Sequence, residues 1–389
     1  MSERHFALYA ELTKARLGLL VVATAVAGFL EASAGPIDWV ALSAMALGTG
    51  LAAFGSNALN QVAEVSRDAR MERTKSRPLP SGRLDLRHGL LVGLLFVITG
   101  PAVLAVLVNP LAAALSLIAV LVYALVYTPL KPRTPLCTLV GALCGAIPPM
   151  IGWAAGAGRL ELGAWILGAI LYVWQIPHFL SLAWLYRDDY ARGGFRMLPA
   201  VDESGRLTGA AVVLCSLALV PLGLMPTLSG MAGWAYGVAS VVLGVWLVVR
   251  SVGVQRERDD RSARRLFRAS LVYLSLLMLV LVADPGPDRA RQAPASVPPR
   301  PALVTPPALP GDLRARFHQD EGFLAAGQRS GSPDPERAES LRSDAPSCRR
   351  DARRAVRSAE TSLHAAGCCG PQSASTSATV TSERTSAVP

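Results

Sequence analysis

The stretch WVALSAMALGTGLAAFGSNAL, residues 39–59, runs directly into NQVAEVSRDARMERTKSRPLPSGR, residues 60–83. The first segment is apolar and long enough to cross a bilayer, which takes about 20 residues of helix. The second segment places acids and bases at its end. Asn60, Glu64 and Asp68 recur every four residues, and a step of four on a helix turns by only about 40°. The pattern predicts a row of oxygen ligands on one face of a membrane helix end.

The composition of the whole chain places this helix in a polytopic membrane protein. Of the 389 residues, 51% are hydrophobic and 17% are charged, whereas a soluble domain carries about 25% charged residues. The abundance of Ala, Leu, Val and Gly in the apolar runs favours packed helices over a barrel. Nine apolar runs are predicted to span the membrane: 17–35, 38–60, 88–108, 110–128, 136–156, 162–184, 209–228, 231–250 and 265–283. The fold class is therefore predicted to be all-α.

The net charge of +10 is an orientation signal. Lys and Arg concentrate in the loops 61–87, 129–135, 185–208 and 250–265, while the alternate loops carry only Arg159. Because cationic loops stay in the cytoplasm, we predict a cytoplasmic amino terminus and a single cytoplasmic face that holds every charged motif. This distribution argues against a nucleic-acid partner.

The composition changes sharply after Ala283. Residues 284–389 contain no Ile, Trp, Tyr or Lys and are dominated by Pro, Ala, Ser and Arg. Such a segment cannot bury enough apolar surface to offset the entropy lost on ordering. We predict a membrane domain at 1–283 and a disordered tail at 284–389.

A second acidic cluster, Asp188 and Asp189, follows the sixth apolar run on the same predicted face. Adjacent residues on a helix point about 100° apart, so one of the two, Asp189, is favoured to face a site. Each cluster alone is compatible with solvated surface ion pairs. Together they favour a divided site in which Mg²⁺ binds carboxylates and a diphosphate. The candidate metal ligands are Asn60, Glu64, Asp68, Asp188 and Asp189.

Basic residues flank both acidic clusters. Lysine binds phosphate as a point charge and arginine as a bidentate fork. An alternative is that these residues serve only the orientation signal. The candidate diphosphate-binding residues are Lys75, Arg77, Lys131, Arg133 and Arg187.

His178 lies inside the sixth apolar run. An ionisable side chain inside a span is costly and therefore a functional candidate. It is a candidate haem-iron ligand or general base, and the alternative is a histidine hydrogen-bonded to a neighbouring helix.

Over about residues 8–283 the chain resembles the UbiA superfamily of intramembrane prenyltransferases. The superfamily pattern N-x-x-x-D-x-x-x-D occurs at Asn60, Glu64 and Asp68, with Glu64 in place of the usual middle Asp. Three longer stretches resemble the branch of the superfamily that acts on haem: MERTKSRPLPSG (71–82), YTPLKPRTPLCTLVGALCGAIPPMIGW (127–153) and WQIPHFLSLAWLYRDDYARGGFRMLP (174–199).

The resemblance implies nine helices around a central cavity, Mg²⁺ as cofactor, and transfer of farnesyl from farnesyl diphosphate to a vinyl group of haem b. By position it implies Asn60, Glu64 and Asp68 as the first metal shell and Asp188 and Asp189 as the second. With it, the predicted catalytic residues are Asp68, Asp189 and Lys131, and His178 stays the haem-binding candidate. It also implies a bacterial inner membrane, an active site facing the cytoplasm, and haem A synthase or a terminal-oxidase assembly as candidate partners.

Two other functions compete with this expectation. Another prenyltransferase of the superfamily would use a quinone precursor or chlorophyllide as acceptor. A small-molecule transporter would place charged residues near the bilayer midplane, whereas the acids here lie at one membrane edge.

Overall fold

The protein is described by a computed structural model that covers residues 2–33 and 35–287. These residues are mostly helical and include no β-strand, only a single antiparallel bridge between Ala232 and Pro285. Nine of their helices are long and apolar enough to cross a membrane. This confirms the all-α membrane fold and the nine predicted spans. The predicted tail lies outside the described residues from residue 288 onward.

The helices are α1 (Ser2–Leu12), α2 (Ala15–Ala32), α3 (Trp39–Asp68), α4 (Leu86–Leu107), α5 (Pro110–Leu121), α6 (Thr128–Leu130), α7 (Cys137–Ala157), α8 (Leu162–Leu185), α9 (Arg187–Arg192), α10 (Leu198–Val201), α11 (Arg206–Leu228), α12 (Trp234–Glu257) and α13 (Asp260–Ala283). A π-helical turn, Val122–Tyr127, joins α5 to α6, so that the fourth span is Pro110–Leu130. The short helices α1, α9 and α10 were not anticipated from the hydropathy pattern.

Helices α7 and α8 lie at the centre of the domain and are the most deeply buried of the nine spans. One apolar core joins α7 to α2, α3 and α5, and another joins α8 to α11, α12 and α13. Outward-facing side chains such as Leu91 and Ile98 on α4 stay exposed. An apolar outer surface of this kind suits a protein whose surroundings are lipid.

Glycine allows α2 and α7 to approach closely. A Cβ atom at Gly152 would overlap the carbonyl oxygen of Ala25, and one at Gly28 would overlap that of Pro149. Small residues serve this purpose in membrane helices because lipid offers no hydrophobic force to hold helices together. This contact fixes one wall of the space that α2, α3, α7 and α8 enclose.

Helix α3 continues to Asp68, eight residues beyond the predicted end of its apolar run. Val62 and Val65 pack against Leu12 and Leu79, which are both buried. This small core stabilises the extra helical turns. The acidic row therefore lies on continuous helix, as the four-residue spacing predicts.

Backbone hydrogen bonds to the membrane helices continue for a few residues past the composition change at 283. The Tyr236 backbone N–H donates to Asp284 Oδ2 at 2.7 Å, and the Gly233 N–H donates to the Asp284 carbonyl oxygen at 2.8 Å. The Gly286 N–H donates to the Met231 carbonyl oxygen at 3.0 Å. Asp284 thus caps the start of α12, which would otherwise leave backbone donors unpaired.

Candidate active site

A cavity of about 350 Å³ lies between α2, α3, α5, α7 and α8. Its deeper wall is largely apolar and includes Leu17, Val21, Val120 and Ile151. Charged side chains from α3 and the neighbouring loops line the other end of the cavity. The site therefore joins an apolar chamber to a polar mouth.

The polar mouth is built on the predicted row of α3. Asn60, Glu64 and Asp68 all line the cavity, and their relative exposures are only 2%, 5% and 1%. The structure therefore confirms that these three side chains share one buried face. Burial of the two carboxylates on that face is costly unless cations compensate it.

Two cations pair with the two carboxylates. Arg77 Nη1 lies 2.7 Å from Asp68 Oδ2, and Lys131 Nζ lies 2.9 Å from Glu64 Oε1. Burial would lower the pKa of Lys131, but the Glu64 carboxylate outweighs it and the pKa of Lys131 is raised. Lys131 therefore stays charged, and its ammonium also lies 4.6 Å from the centroid of the Tyr127 ring, within the range of a cation–π contact.

Two further cations line the cavity, and neither was a predicted site residue. Arg73 stacks over the rings of Tyr186 and Tyr190 at 5.0 and 5.9 Å. Lys14 donates from Nζ to Asn60 Oδ1 at 2.9 Å. Burial, together with the charges of Arg77 and Lys131, lowers the pKa of Lys14 to about 7. The signal in the sequence was the position of Lys14, one of only three lysines, immediately before the first span.

The second acidic cluster is placed differently. Asp189 is buried but is not among the residues that line the cavity. Its two carboxylate oxygens accept from the backbone N–H groups of Glu72 at 3.0 Å and Arg73 at 3.2 Å, and Arg192 forms an ion pair with it. Burial would raise the pKa of Asp189, but these donors outweigh it and hold the pKa below its usual value. Asp189 thus binds the segment 69–85 to α9.

The other predicted site residues lie away from the cavity wall. Asp188 is exposed, as are Lys75, which pairs with Glu72 at 2.6 Å, and Arg133. Arg187 pairs with Asp260 at 2.6 Å. The structure therefore brings Asn60, Glu64, Asp68, Arg77 and Lys131 together, but not these four.

His178 is packed between helices α8 and α13. Its ring stacks with those of Trp174 and Phe267, with centroids 4.8 and 4.9 Å apart. Its Nδ1 lies 2.8 Å from Ser270 Oγ, and it does not line the cavity. This geometry matches the alternative of a histidine hydrogen-bonded to a neighbouring helix.

The oxygen atoms of the row suit a magnesium ion. Asp68 Oδ1 is buried and has no hydrogen-bond partner among the described residues, and the Asn60 and Glu64 oxygens lie on the same helix face. In the described part of the chain, no group of three or more His, Cys, Asp or Glu side chains is close enough to form a complete metal site. Mg²⁺ typically takes only one or two carboxylates and completes its shell with water and substrate phosphates. The donors present fit that mode of binding.

Residues 21–276 match the sequence profile of the UbiA prenyltransferase family. The chain belongs to this family, and it is therefore an intramembrane prenyltransferase with several spans. It is similar to two bacterial proteins that carry a more specific name, protoheme IX farnesyltransferase. The protein from Opitutus terrae is 42% identical over 284 residues, which cover 73% of this chain and 96% of the relative. The protein from Koribacter versatilis is 44% identical over 287 residues, which cover 71% and 92%.

Solved structures support the fold. A digeranylgeranylglyceryl phosphate synthase aligns with a TM-score of 0.62 at 16% identity, covering 74% of this chain and 99% of its own. A UbiA homologue from Archaeoglobus fulgidus, solved with GPP and Mg²⁺, aligns with a TM-score of 0.52 at 14% identity and covers 71% and 99%. The predicted UbiA-type architecture is confirmed.

Proposed function

We propose that the protein transfers the farnesyl group of farnesyl diphosphate to a vinyl group of haem b and so forms haem O. The observation that carries the proposal is the buried row Asn60–Glu64–Asp68 with its paired cations at the mouth of an apolar cavity. The similarity to protoheme IX farnesyltransferases supports haem as the acceptor. The apolar chamber suits an isoprenoid chain, which needs no polar partners.

We assign diphosphate binding to Arg77 and Lys131, because both line the cavity and both already neutralise a carboxylate of the row. Asn60, Glu64 and Asp68 would hold Mg²⁺, which supplies positive charge to the leaving diphosphate when it is bound. The two cationic side chains stabilise the negative charge that develops as the allylic carbon–oxygen bond breaks. The farnesyl carbon then bonds to the vinyl carbon, and water adds to the resulting cation with loss of a proton.

The second acidic cluster has a supporting role in this proposal. Asp189 holds the backbone of Glu72 and Arg73, and the same segment carries Arg77 into the cavity. Asp189 therefore acts on the reaction through the position of these arginines. A direct metal contact by Asp188 or Asp189 stays a prediction, as do diphosphate contacts by Lys75, Arg133 and Arg187 and haem binding by His178.

The orientation follows from the positive-inside rule. The loops at the polar mouth carry the Lys and Arg residues, so we propose that the mouth faces the cytoplasm of a bacterial cell and that the protein lies in its inner membrane. Haem A synthase or a terminal-oxidase assembly is the candidate partner that would receive the product.

Haem extraction from membranes tests the proposal. Membranes with and without the protein are extracted, and the haems are separated by chromatography and identified by mass. We expect haem O only in membranes that contain the protein. Purified protein is then given farnesyl diphosphate with either haem b or 4-hydroxybenzoate, and turnover of 4-hydroxybenzoate alone would replace this proposal with a quinone-precursor prenyltransferase.

A further inference from the structure

We propose that the first turns of α13 bind the phosphate group of an anionic phospholipid in the cytoplasmic leaflet of the membrane. The binding groups form the arginine stripe, which consists of Arg261, Arg264, Arg265 and Arg268. None of these four side chains lines the cavity. The stripe lies on the outer surface of the domain, so this role is separate from prenyl transfer.

The arginine stripe lies on the outward face of α13. Positions 261, 264, 265 and 268 follow the i, i+3, i+4, i+7 spacing of one helix face, and all four side chains are exposed. The opposite face packs into the domain through Leu266, Tyr273 and Leu277, which are fully buried. Further along the outward face the exposed side chains are apolar, as at Val272 and Leu279. This change from arginine to apolar residues matches the change from head group to acyl chain in a phospholipid.

The acids of the turn between α12 and α13 already have partners. Glu257 Oε2 lies 3.6 Å from Arg265 Nη1, and Asp260 Oδ1 lies 2.6 Å from Arg187 Nη1. Asp259 caps α13 by accepting a backbone N–H at 2.8 Å. Within the described part of the chain, the other three arginines of the stripe form no ion pair. Like charges four residues apart destabilise a helix, so the stripe is unfavourable until an anion compensates it.

The depth of the stripe matches that of lipid phosphate groups. From Arg268 to Ala283, where α13 ends, the helix is about 23 Å long, and the hydrocarbon core is about 30 Å thick. Helix α12 gives the same depth, because Arg250 lies about 24 Å from its start at Trp234. The Arg250 guanidinium lies 5.9 Å from the centroid of the Trp246 ring, and tryptophan is enriched at membrane interfaces. The inner end of the stripe therefore reaches the head-group layer.

An orientation signal alone does not account for this arrangement. The positive-inside rule depends on the number of basic residues in a segment, and it is satisfied on whichever face of the helix they lie. In α13 the four arginines share one face, and the last of them lies more than two turns inside the helix. The shared face and the depth both call for an anion at the membrane surface.

The chemistry of arginine favours an anionic lipid as that partner. The guanidinium group binds phosphate oxygens in a bidentate manner, and basic clusters at the cytoplasmic ends of membrane helices recognise anionic lipids. A zwitterionic lipid carries its own cation beside the phosphate, so the stripe should discriminate against it. A second copy of this chain would bring a second arginine stripe to the same surface, and such like-charge contacts are unfavourable.

Native mass spectrometry of the full chain in detergent micelles tests this assignment. The probes are dioleoyl phosphatidylglycerol and dioleoyl phosphatidylcholine, which have the same acyl chains and differ in net charge. One basic residue near a lipid surface contributes about fivefold in affinity. We therefore expect the wild type to bind phosphatidylglycerol at least about tenfold more tightly than phosphatidylcholine, and Arg264→Gln/Arg268→Gln to lose that preference.

Two matched variants separate the stripe from net charge. Arg70→Gln/Arg87→Gln removes the same charge from exposed positions that follow α3 and begin α4, and it should bind phosphatidylglycerol within about twofold of the wild type. Arg264→Lys/Arg268→Lys keeps the charge and should bind within about threefold. An equal loss in the Arg70→Gln/Arg87→Gln variant would reduce the effect to net charge and overturn the proposal.

Three other results would also overturn it. The first is equal affinity of the wild type for the two lipids. The second is full displacement of phosphatidylglycerol by an equal concentration of inorganic phosphate, which would make the stripe a site for free phosphate. The third is a lower unfolding temperature of Arg264→Gln/Arg268→Gln in lipid-free detergent, where relief of like-charge repulsion should leave it at or above that of the wild type. None of these results bears on haem O formation.

Discussion

The two acidic segments, 60–68 on α3 and 187–192 on α9, use their carboxylates in different ways. In the first segment Glu64 and Asp68 face the cavity and pair with cations that also line it. In the second segment Asp189 is not part of the cavity lining and accepts hydrogen bonds from the backbone of a loop. One segment forms the site, and the other holds in place the loop that completes it.

The difference arises from where each helix ends. Helix α3 continues through Asp68 because a small apolar core supports its last turns. Helix α8 ends at Leu185, where Tyr186 leaves the helical region with φ and ψ of −118° and 24°, and Arg187 Nη1 donates to the carbonyl oxygen of Trp184 at 2.9 Å. The aspartates that follow therefore lie on a separate short helix. An acidic pattern after a membrane span forms a row only if the helix continues through it.

The largest effect is expected for Asp68→Ala. This change removes the buried carboxylate that pairs with Arg77 and leaves the arginine without its partner. We expect haem O formation to fall at least a hundredfold, the scale typical of losing a group that stabilises developing charge. Product is measured by chromatography at equal amounts of inserted protein, and Glu72→Ala, an exposed acid near the same loop, serves as the control. Normal turnover by Asp68→Ala would break the distinction between the two segments.

A second large effect is expected for Glu64→Gln. The substitution keeps the shape of the side chain but leaves Lys131 as a partly buried cation without its carboxylate, and breaking a buried pair in this way costs about 3–5 kcal/mol. We expect a lower unfolding temperature and a loss of activity. The double variant Glu64→Gln/Lys131→Met should recover part of the stability, because neither charge is then left alone. A double variant that loses as much stability as the two single variants combined would show that Glu64 and Lys131 do not couple.

The sequence predicts the spans and the shared face of the first acidic segment. It does not predict that the second acidic segment takes a different role. Apolar length predicts the nine spans, and a four-residue spacing predicts that Asn60, Glu64 and Asp68 share a face, because both features depend on local helix geometry alone. The direction of Asp189 depends on a single non-helical residue, Tyr186, and on donors more than a hundred residues away. The same holds for Lys14, whose contact with Asn60 depends on a left-handed turn that the hydropathy pattern does not contain.

A smaller and different effect is expected for Asp189→Asn. An amide keeps one oxygen acceptor but turns an NH₂ group toward the second backbone N–H, so the loop loses about 1–3 kcal/mol of stabilisation. We expect faster proteolysis within 69–85 and a several-fold rise in KM for farnesyl diphosphate. Binding of Mn²⁺ in place of Mg²⁺, followed by paramagnetic resonance, should be unchanged in this variant and lost in Asp68→Ala. Loss of the ion in both variants would restore the divided metal site and break the comparison.

The smallest effect concerns acid stability. The pKa of Asp189 is held below its usual value in the folded protein. The ionised carboxylate therefore stabilises the fold fully above its unfolded pKa, near 3.9. This stabilisation is lost as the pH falls through the lower pKa of the folded protein. Between pH 7 and pH 5 the carboxylate is ionised in both states, and the difference in unfolding temperature between wild type and Asp189→Asn should be constant there. Below about pH 4 the difference in unfolding temperature should shrink. Protonation of Asp189 then removes from the wild type the negative charge that the substitution has already removed from the variant. A difference that grows on acidification would mean that the carboxylate is stabilised in its protonated form, which the two backbone donors and Arg192 do not allow.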